Sequence, residues 1–337
     1  MSAVSVHPAP ARLAMGYVDA DPARVLADDR VLAAIGFGAS APASDDPRYV
    51  RVALEPYGPA PLEVWRSAGP VARGRDADVA WACDGALMFG VIELDEPTGG
   101  TTGDRDSDIE ATAVASYQRL VAALDAHGYP HLLRVWNYLD GITVGDGDEE
   151  RYRRFCVGRA RGLGEVDVHR LPAATAIGRV DGVRRLQVYW LAAREPGTPL
   201  ENPRQVSAYR YPRQYGPQPP SFARAMLPAS PAMPLLLSGT AAITGHESRH
   251  AGSVSAQFDE TFANLDTLVA AARARRPGLP AAFGAGSPIK AYVRERDELA
   301  TVAGLLERRL PADVPRLVLH AAVCRRELRL EVDGAHG

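Results

Sequence analysis

The chain holds 337 residues, 46% hydrophobic and 23% charged, enough for two ordinary cores or one large one. Its formal net charge of −3, with neither a basic face nor a basic tail, excludes a general binder of nucleic acid or of an anionic membrane surface. No apolar run reaches the ~18 residues of a membrane span, and the opening MSAVSVHPAPARLAMGYVD lacks the charged start and apolar stretch of an export signal, so a cytoplasmic chain is expected.

Taken in order, GFGAS at 36–40 is too short for a nucleotide-binding glycine loop, and no helical pattern follows it. The first clear element is the apolar, strand-like GALMFGVIEL at 85–94. Next comes SDIEATAVASYQRLVAALDAHG at 107–128, whose Ile109, Tyr117, Leu120, Val121 and Leu124 form one helical stripe, with Gly128 to end it. A strand, HLLRVWNYL (131–139), a helix, DEERYRRFCVGRARGL (148–163), and two strands, AATAIGR (173–179) and RRLQVYWLAA (184–193), complete the first half. The stretch REPGTPLENPRQVSAYRYPRQYGPQPPSFARA (194–225) reads as a linker by composition, but its dense Tyr, Arg and Gln content points to a binding loop.

Beyond the linker the same order returns. PLLLSGTAAITG (234–245) is strand-like, and SVSAQFDETFANLDTLVAAARARRPG (253–278) has helical spacing through Phe258, Phe262, Leu265, Leu268 and Val269, with Gly278 as a stop. PIKAYVRE (288–295) is the next strand, and RDELATVAGLLERRLP (296–311) is a second helix with Asp297 placed to cap it. RLVLHAAV (316–323) and ELRLEV (327–332) close the chain as strands. Each half thus reads strand, helix, strand, helix, strand, strand, and this internal repeat outweighs any single motif. The expected class is α+β: two tandem copies of one unit, each a mixed sheet with helices packed on one face, over 1–195 and 196–337.

Two features invite a metal reading and fail it. His246-Glu247-Ser248-Arg249-His250 has the letters of a zinc-protease helix, in which two histidines one turn apart share a metal. Here Gly245 precedes and Gly252 follows, each costing a helix about 1 kcal/mol relative to alanine, so the stretch is a loop. Cys83, Cys156 and Cys324 are far apart and odd in number, which suits neither a disulfide framework nor a zinc cluster. Lys290 is the only lysine among many arginines, a bias that reads as a GC-rich genome.

The C-terminal half resembles the YjgF/Rid family, small α+β domains that deaminate reactive enamines and usually form trimers. The likeness rests on the SGT strand, DETFANLDTLV and the closing VPRLVLHAAVCRRELRLEV. In that family an arginine here holds a substrate carboxylate and a glutamate manages a proton or a water; Arg316 and Glu331 stand at those places. The first copy has Ala173 near the arginine's position and Tyr189 near the glutamate's, so only the second copy keeps the charged pair. The doubled unit, together with WNYL, RFCVGRARGL, PAATAIG and ENPRQVSAYRYPRQYGPQPPSFARA before SGTA, is similar to the chorismatases, two-domain Rid-like enzymes that consume chorismate. That match runs from about residue 80 onward.

Chorismate, the substrate this resemblance implies, carries a ring carboxylate, a hydroxyl, and an enolpyruvyl ether with a second carboxylate. Arginine grips carboxylates in a planar, bidentate way. The candidates are Arg134, Arg159, Arg213, Arg224 and Arg316, with Tyr209, Tyr211 and Tyr215 to flank the ring and offer hydroxyls. Release of pyruvate requires protonation of the enol ether at its methylene carbon. A carboxylic acid in a low-dielectric pocket does this, because desolvation raises its pKa toward neutrality. Glu331 is the candidate: alternation in LRLEVDG places Leu328, Leu330 and Val332 on one face and Arg329 with Glu331 on the other. The chemistry needs no metal and no organic cofactor.

What attacks next decides the product. Water gives a dihydroxycyclohexadiene carboxylate, whereas the ring's own hydroxyl leads to 3-hydroxybenzoate. In the resembled family a cysteine seven residues before the glutamate, and a glycine in the SGT segment, go with the aromatising branch; here these are Cys324 and Gly239. Such a cysteine is a soft, weakly polar side chain that keeps water out. The expected activity is therefore a 3-hydroxybenzoate synthase serving secondary metabolism. Chorismate hydrolysis, Rid-type imine deamination and non-catalytic small-molecule binding are the alternatives, and assembly stays open between monomer and trimer.

Overall fold

The structure, a computed structural model, describes residues 12–97, 108–165 and 167–337. Most of the opening stretch read for an export signal, 1–11, and Ser107 at the start of the predicted helix lie outside the described residues.

No element is predicted before residue 85, yet a four-stranded sheet stands there. It consists of β1 (Leu13–Val18), β2 (Val31–Phe37), β3 (Tyr49–Val52) and β4 (Leu62–Ser67) in the order β1-β4-β2-β3, with a short helix α1 (Pro22–Leu26) after the first strand. Every residue of β2 is buried, so it lacks the alternation that marks a half-exposed strand.

The first repeat unit contains β5 (Ala72–Asp76), β6 (Val79–Cys83), β7 (Leu87–Asp95), α2 (Asp108–His127), β8 (His131–Asp140), α3 (Arg151–Leu163), β9 (Ala173–Arg179) and β10 (Arg185–Ala193). The second contains β11 (Thr198–Leu200), β12 (Ala225–Leu227), β13 (Leu235–Thr240), the hairpin β14 (Ile243–Thr244) and β15 (Glu247–Ser248), α4 (Val254–Arg275), β16 (Ile289–Val293), α5 (Leu299–Arg309), β17 (Arg316–His320) and β18 (Leu330–His336). Their sheets run β5-β6-β7-β10-β8-β9 and β11-β12-β13-β18-β16-β17. Apart from the β14–β15 hairpin the two match element for element, down to one parallel pair each, β8 with β9 and β16 with β17. The predicted order of strands and helices is present in both halves.

Helices cover one face of each sheet. Phe258, Phe262, Leu265, Leu268 and Val269 pack with Leu235, Leu237, Leu330 and Val332. Ile109, Tyr117, Leu120 and Leu124 do the same in the first unit, with Val121 partly buried. Helix α3 lies close on α2 because Gly158 and Gly162 leave room where a Cβ would strike Glu110 and Tyr117. Helix ends follow local chemistry: Gly128 takes a φ of +71° after α2, and the Ser253 side chain accepts from the Ala256 N–H at 3.2 Å to start α4. Asp297 does not cap α5; it sits in a 3₁₀ turn, Arg296–Glu298, just ahead of the helix. The closing strand also starts later than predicted, at Leu330. Alternation therefore governs Leu330 to Asp333 but not Arg329, which pairs with Glu298 at 2.7 Å, nor Leu328, which packs with Ile243 and Val323.

The other faces of both large sheets meet the first sheet in a shared core that includes Trp65, Phe89, Trp136, Tyr189, Tyr292 and Leu319. Inside this apolar layer runs a chain of charge. Lys290 Nζ donates to Glu63 Oε2 at 2.6 Å and lies 3.8 Å from Asp333 Oδ1, while Asp333 Oδ2 accepts from Arg134 Nη2 at 3.1 Å. The four residues come from β4, β16, β18 and β8, and all are buried. Charges survive there only because each meets its opposite. Lys290→Met would leave Glu63 without its cation and Asp333 with Arg134 alone; we expect a loss of about 3–5 kcal/mol, read as a lower urea midpoint with an unchanged slope.

Candidate active site

A cleft of about 480 Å³, the size of a small-molecule site, opens between the two repeat units. It forms where β9 of the first unit lies beside β13 of the second. Ser238 Oγ accepts from Ala174 N–H at 2.9 Å and donates to the Ala223 carbonyl at 2.6 Å. Farther along, Gly178 and Ala322 exchange both backbone hydrogen bonds. The walls come from α3, the start of β9, linker residues 211–224, residues 239–243 and the loop leading into β18.

Glu331 lies within this wall. Strand β18 sets it opposite Tyr292 and turns it away from α4 and α5, toward the first unit. It is 5% exposed, and its Oε2 lies 3.9 Å from Cys324 Sγ. Gly239 makes room for it, since a Cβ there would collide with Glu331 Oε1. Burial drives the carboxyl upward and the charge of Asp333 adds to the effect; Arg134, Arg224 and the Cys324 contact oppose it, and the result is about 8. A carboxyl that keeps its proton at neutral pH is equipped as a general acid. Burial and the neighbouring Glu331 also push the Cys324 thiol upward, so it stays neutral and is a poor nucleophile.

Two guanidinium groups face the same space. Arg159 and Arg224 are each 4% exposed, and neither makes a salt bridge among the described residues. Arg159 Nε and Nη2, and Arg224 Nε, have no hydrogen-bond partner among the described residues. Arg159 stands 5.3 Å from the Tyr117 ring, while Arg224 Nη2 donates to Tyr211 Oη at 2.6 Å. Buried cationic donors without an anion are costly, and a ligand carboxylate relieves them. Tyr211 and Tyr215 lie 5.3 Å apart at the cleft's side, with Arg325 stacked 4.0 Å over Tyr215.

Of the residues predicted from sequence, the cleft brings together Glu331, Cys324, Gly239, Arg159, Arg224 and Tyr215. Four lie elsewhere. Arg213 is exposed and turned to the surface carboxylate of Asp148, which its Nη1 meets at 2.8 Å, so its charge is paired outside the cleft. Tyr209 is half-buried beside Arg210, outside the cleft lining. Arg134 is sealed beneath the wall in the charge chain. Arg316 donates at 3.1 Å to the Leu306 carbonyl in the last turn of α5, as a second donor beside the Leu310 N–H. His246 and His250 belong to a hairpin and its exit, not to a helix: His246 Nδ1 meets Tyr215 Oη at 3.2 Å, and His250 Nε2 stands 3.5 Å from Glu260.

Sequence reading did not single out Tyr152, Cys156, Thr175 or Arg325, all of which line the cleft. For the first two a signal exists: Tyr152, Cys156 and Arg159 are spaced four and three apart, one face of α3.

The arrangement, in a chain made from two fused α+β units, can hold a small anion against buried guanidinium groups beside a carboxyl group able to give it a proton. A family model described as Chorismatase FkbO/Hyg5-like, N-terminal, matches residues 63–192. A chorismatase of Streptomyces rapamycinicus is 36% identical over 281 residues, covering 81% of this chain and 81% of its own. A 3-hydroxybenzoate synthase of Streptomyces hygroscopicus is 33% identical over 283 residues, covering 81% of this chain and 80% of its own. A chorismatase crystal structure superposes with a TM-score of 0.83 at 32% identity, covering 98% of this chain and 100% of that chain. The chain belongs to the chorismatase family.

The raised carboxyl of Glu331 has a consequence for stability. Below the ordinary carboxylate range, folded and unfolded chains both hold the proton, and the site favours neither. Between there and about pH 8 only the folded chain holds it, so unfolding releases a proton and stability falls as pH rises. Glu331→Gln removes this linkage. Its thermal midpoint is expected to exceed the parent's by several degrees at about pH 8 and to match it at about pH 4, as scanning calorimetry would record.

Proposed function

We propose that the protein converts chorismate to 3-hydroxybenzoate and pyruvate. The observation that carries this reading is Glu331, a buried carboxyl proton-loaded up to about pH 8, in a cleft that also presents Arg159 and Arg224, neither salt-bridged among the described residues. Two cations match the two carboxylates of chorismate, and Tyr211 and Tyr215 offer faces to its ring. Glu331 protonates the methylene carbon of the enol ether. The ring's 4-hydroxyl, favoured over water, closes on the oxocarbenium carbon; loss of the C3 proton with cleavage of the C4–O bond aromatises the ring, the remaining hemiketal collapses to pyruvate and 3-hydroxybenzoate, and the proton released from the ring restores Glu331.

Cys324 and Gly239 support that last preference. The thiol lies within 4 Å of the acid, at 3.9 Å, and is a weak hydrogen-bonder for water. Gly239 lets Glu331 lie flat against β13, where any side chain would push it toward the ligand space. The atoms balance without water: chorismate equals 3-hydroxybenzoate plus pyruvate, whereas hydrolysis consumes one water. Both units of one chain build the cleft, to about residue 195 through α3 and β9 and thereafter through the linker and β18, so catalysis needs no second copy.

Purified protein incubated with chorismate should yield 3-hydroxybenzoate, resolved chromatographically from 4-hydroxybenzoate and the dihydroxycyclohexadiene acid. Glu331→Gln should slow pyruvate release by roughly 10²–10⁴-fold, the usual worth of a general acid; release at the parent's rate would refute the reading. Cys324→Ala and Gly239→Ala should divert product toward the dihydroxy acid, and an unchanged product ratio in both removes the basis for the synthase branch.

A further inference from the structure

The mechanism above uses one of two carboxylates on β18. Asp333 follows Glu331 by two residues, so both project from the same face of the strand. It is fully buried, and its Oδ2 alone collects four donors: Trp136 Nε1 at 2.8 Å, Thr175 Oγ1 at 2.8 Å, Arg134 Nη2 at 3.1 Å and Tyr292 Oη at 3.1 Å. With the Arg134 guanidinium at 3.1 Å from Oδ2 and the Lys290 ammonium 3.8 Å from Oδ1, the carboxyl group is flanked by a cation on each side. From this group a short path leads to the cleft. Thr175 Oγ1 also accepts from Arg134 Nη2 at 2.5 Å, and Thr175 lines the cleft next to Gly239, against which Glu331 rests.

The groups that face Glu331 come from every side: Asp333 on its own strand, Arg134 from β8, Arg224 from the linker's end, Cys324 from the preceding loop, Tyr152 from α3 and Tyr292 from β16. Burial pushes Cys324, Tyr152 and Tyr292 upward, so these three are neutral near pH 7. Arg224 is an open ligand for an anion. Asp333 and Arg134 are tied to each other and carry the charges that no ligand reaches.

We propose that Asp333, held between Arg134 and Lys290, is a positioning residue of the reaction: a buried carboxyl group beneath the cleft, on the same face of β18 as Glu331, whose charge acts on the acid while Thr175 links it to the cleft wall. This rests on the reading of Glu331 as the acid.

The test is the pH dependence of kcat/KM for pyruvate release from chorismate. In the parent, activity falls as pH rises through about 8, where Glu331 ionises. Asp333→Asn removes an anion and leaves Arg134 unopposed, so the alkaline limb moves down by about one pH unit or more. Arg134→Gln moves it up, and Arg134→Lys, which keeps the charge, leaves it in place while lowering kcat. A merely structural role lowers amplitudes and cannot move the limb in opposite directions. Circular dichroism identifies folded variants, and either charge variant decides alone; should neither fold, Tyr292→Phe removes one donor from Asp333 and moves the limb up by a few tenths of a unit. An unmoved limb in a folded variant overturns the proposal. Glu331→Gln separates the two ideas: if it is inactive while the limbs stay fixed, the acid stands and the role of Asp333 falls, whereas full activity removes the acid itself.

Discussion

Glu63, Lys290, Asp333 and Arg134 come from four strands in three sheets, and all are buried. Any one of them alone in so apolar a layer would be prohibitive, because the interior solvates an isolated charge poorly. Each therefore dictates what must stand beside it, and the register of β18 on β16, with Asp333 opposite Lys290, follows from that demand as much as from apolar packing. The same alternation sets the chemistry next door. Asp333 is the neighbour that disfavours a second anion on its strand, and Arg134 partly offsets it. Assembly of the sheets and readiness of the acid thus share one set of electrostatic terms.

Duplication gives this chain two matching sheets, but they are put to different uses. In the first unit the strand that corresponds to β18 carries Tyr189, stacked 4.9 Å from Trp136 in the shared core. Aromatic bulk there fills the space that charge occupies in the second unit. The first unit's contribution to the cleft comes instead from α3 and the edge strand β9, and the Pro-rich linker closes the side with Tyr211 and Tyr215. One copy acts as a wall and the other as the reactive face.

The repeat is legible in the sequence because both units print helical stripes of buried residues, Ile109 to Leu124 and Phe258 to Val269, between apolar strands. The opening sheet is not. Its strand β2 is buried throughout and gives no alternation, and the neighbouring β5 is almost wholly exposed, with one small apolar residue. Glu331 stands out as a carboxylate inside an alternating apolar strand, and the glycine and cysteine that flank it share its neighbourhood in the fold. Arginines are harder to place. Nothing local distinguishes Arg159, aimed into the cleft from α3, from Arg213, which turns to Asp148, or from Arg134, whose partner Asp333 lies far along the chain. Which carboxylate an arginine meets is settled by tertiary approach, and the Pro-rich linker has no periodicity from which to read direction.

The lone lysine has a consequence outside catalysis. Lys290 is the chain's single side-chain amine, and it is locked between Glu63 and Asp333 at the junction of the sheets. Acylating reagents, and enzymes that attach acyl groups or ubiquitin to lysine, therefore find no ε-amino target on the folded surface. Any adduct at this position records a moment when the sheets had parted, which makes the residue a built-in tracer for breathing of the interior.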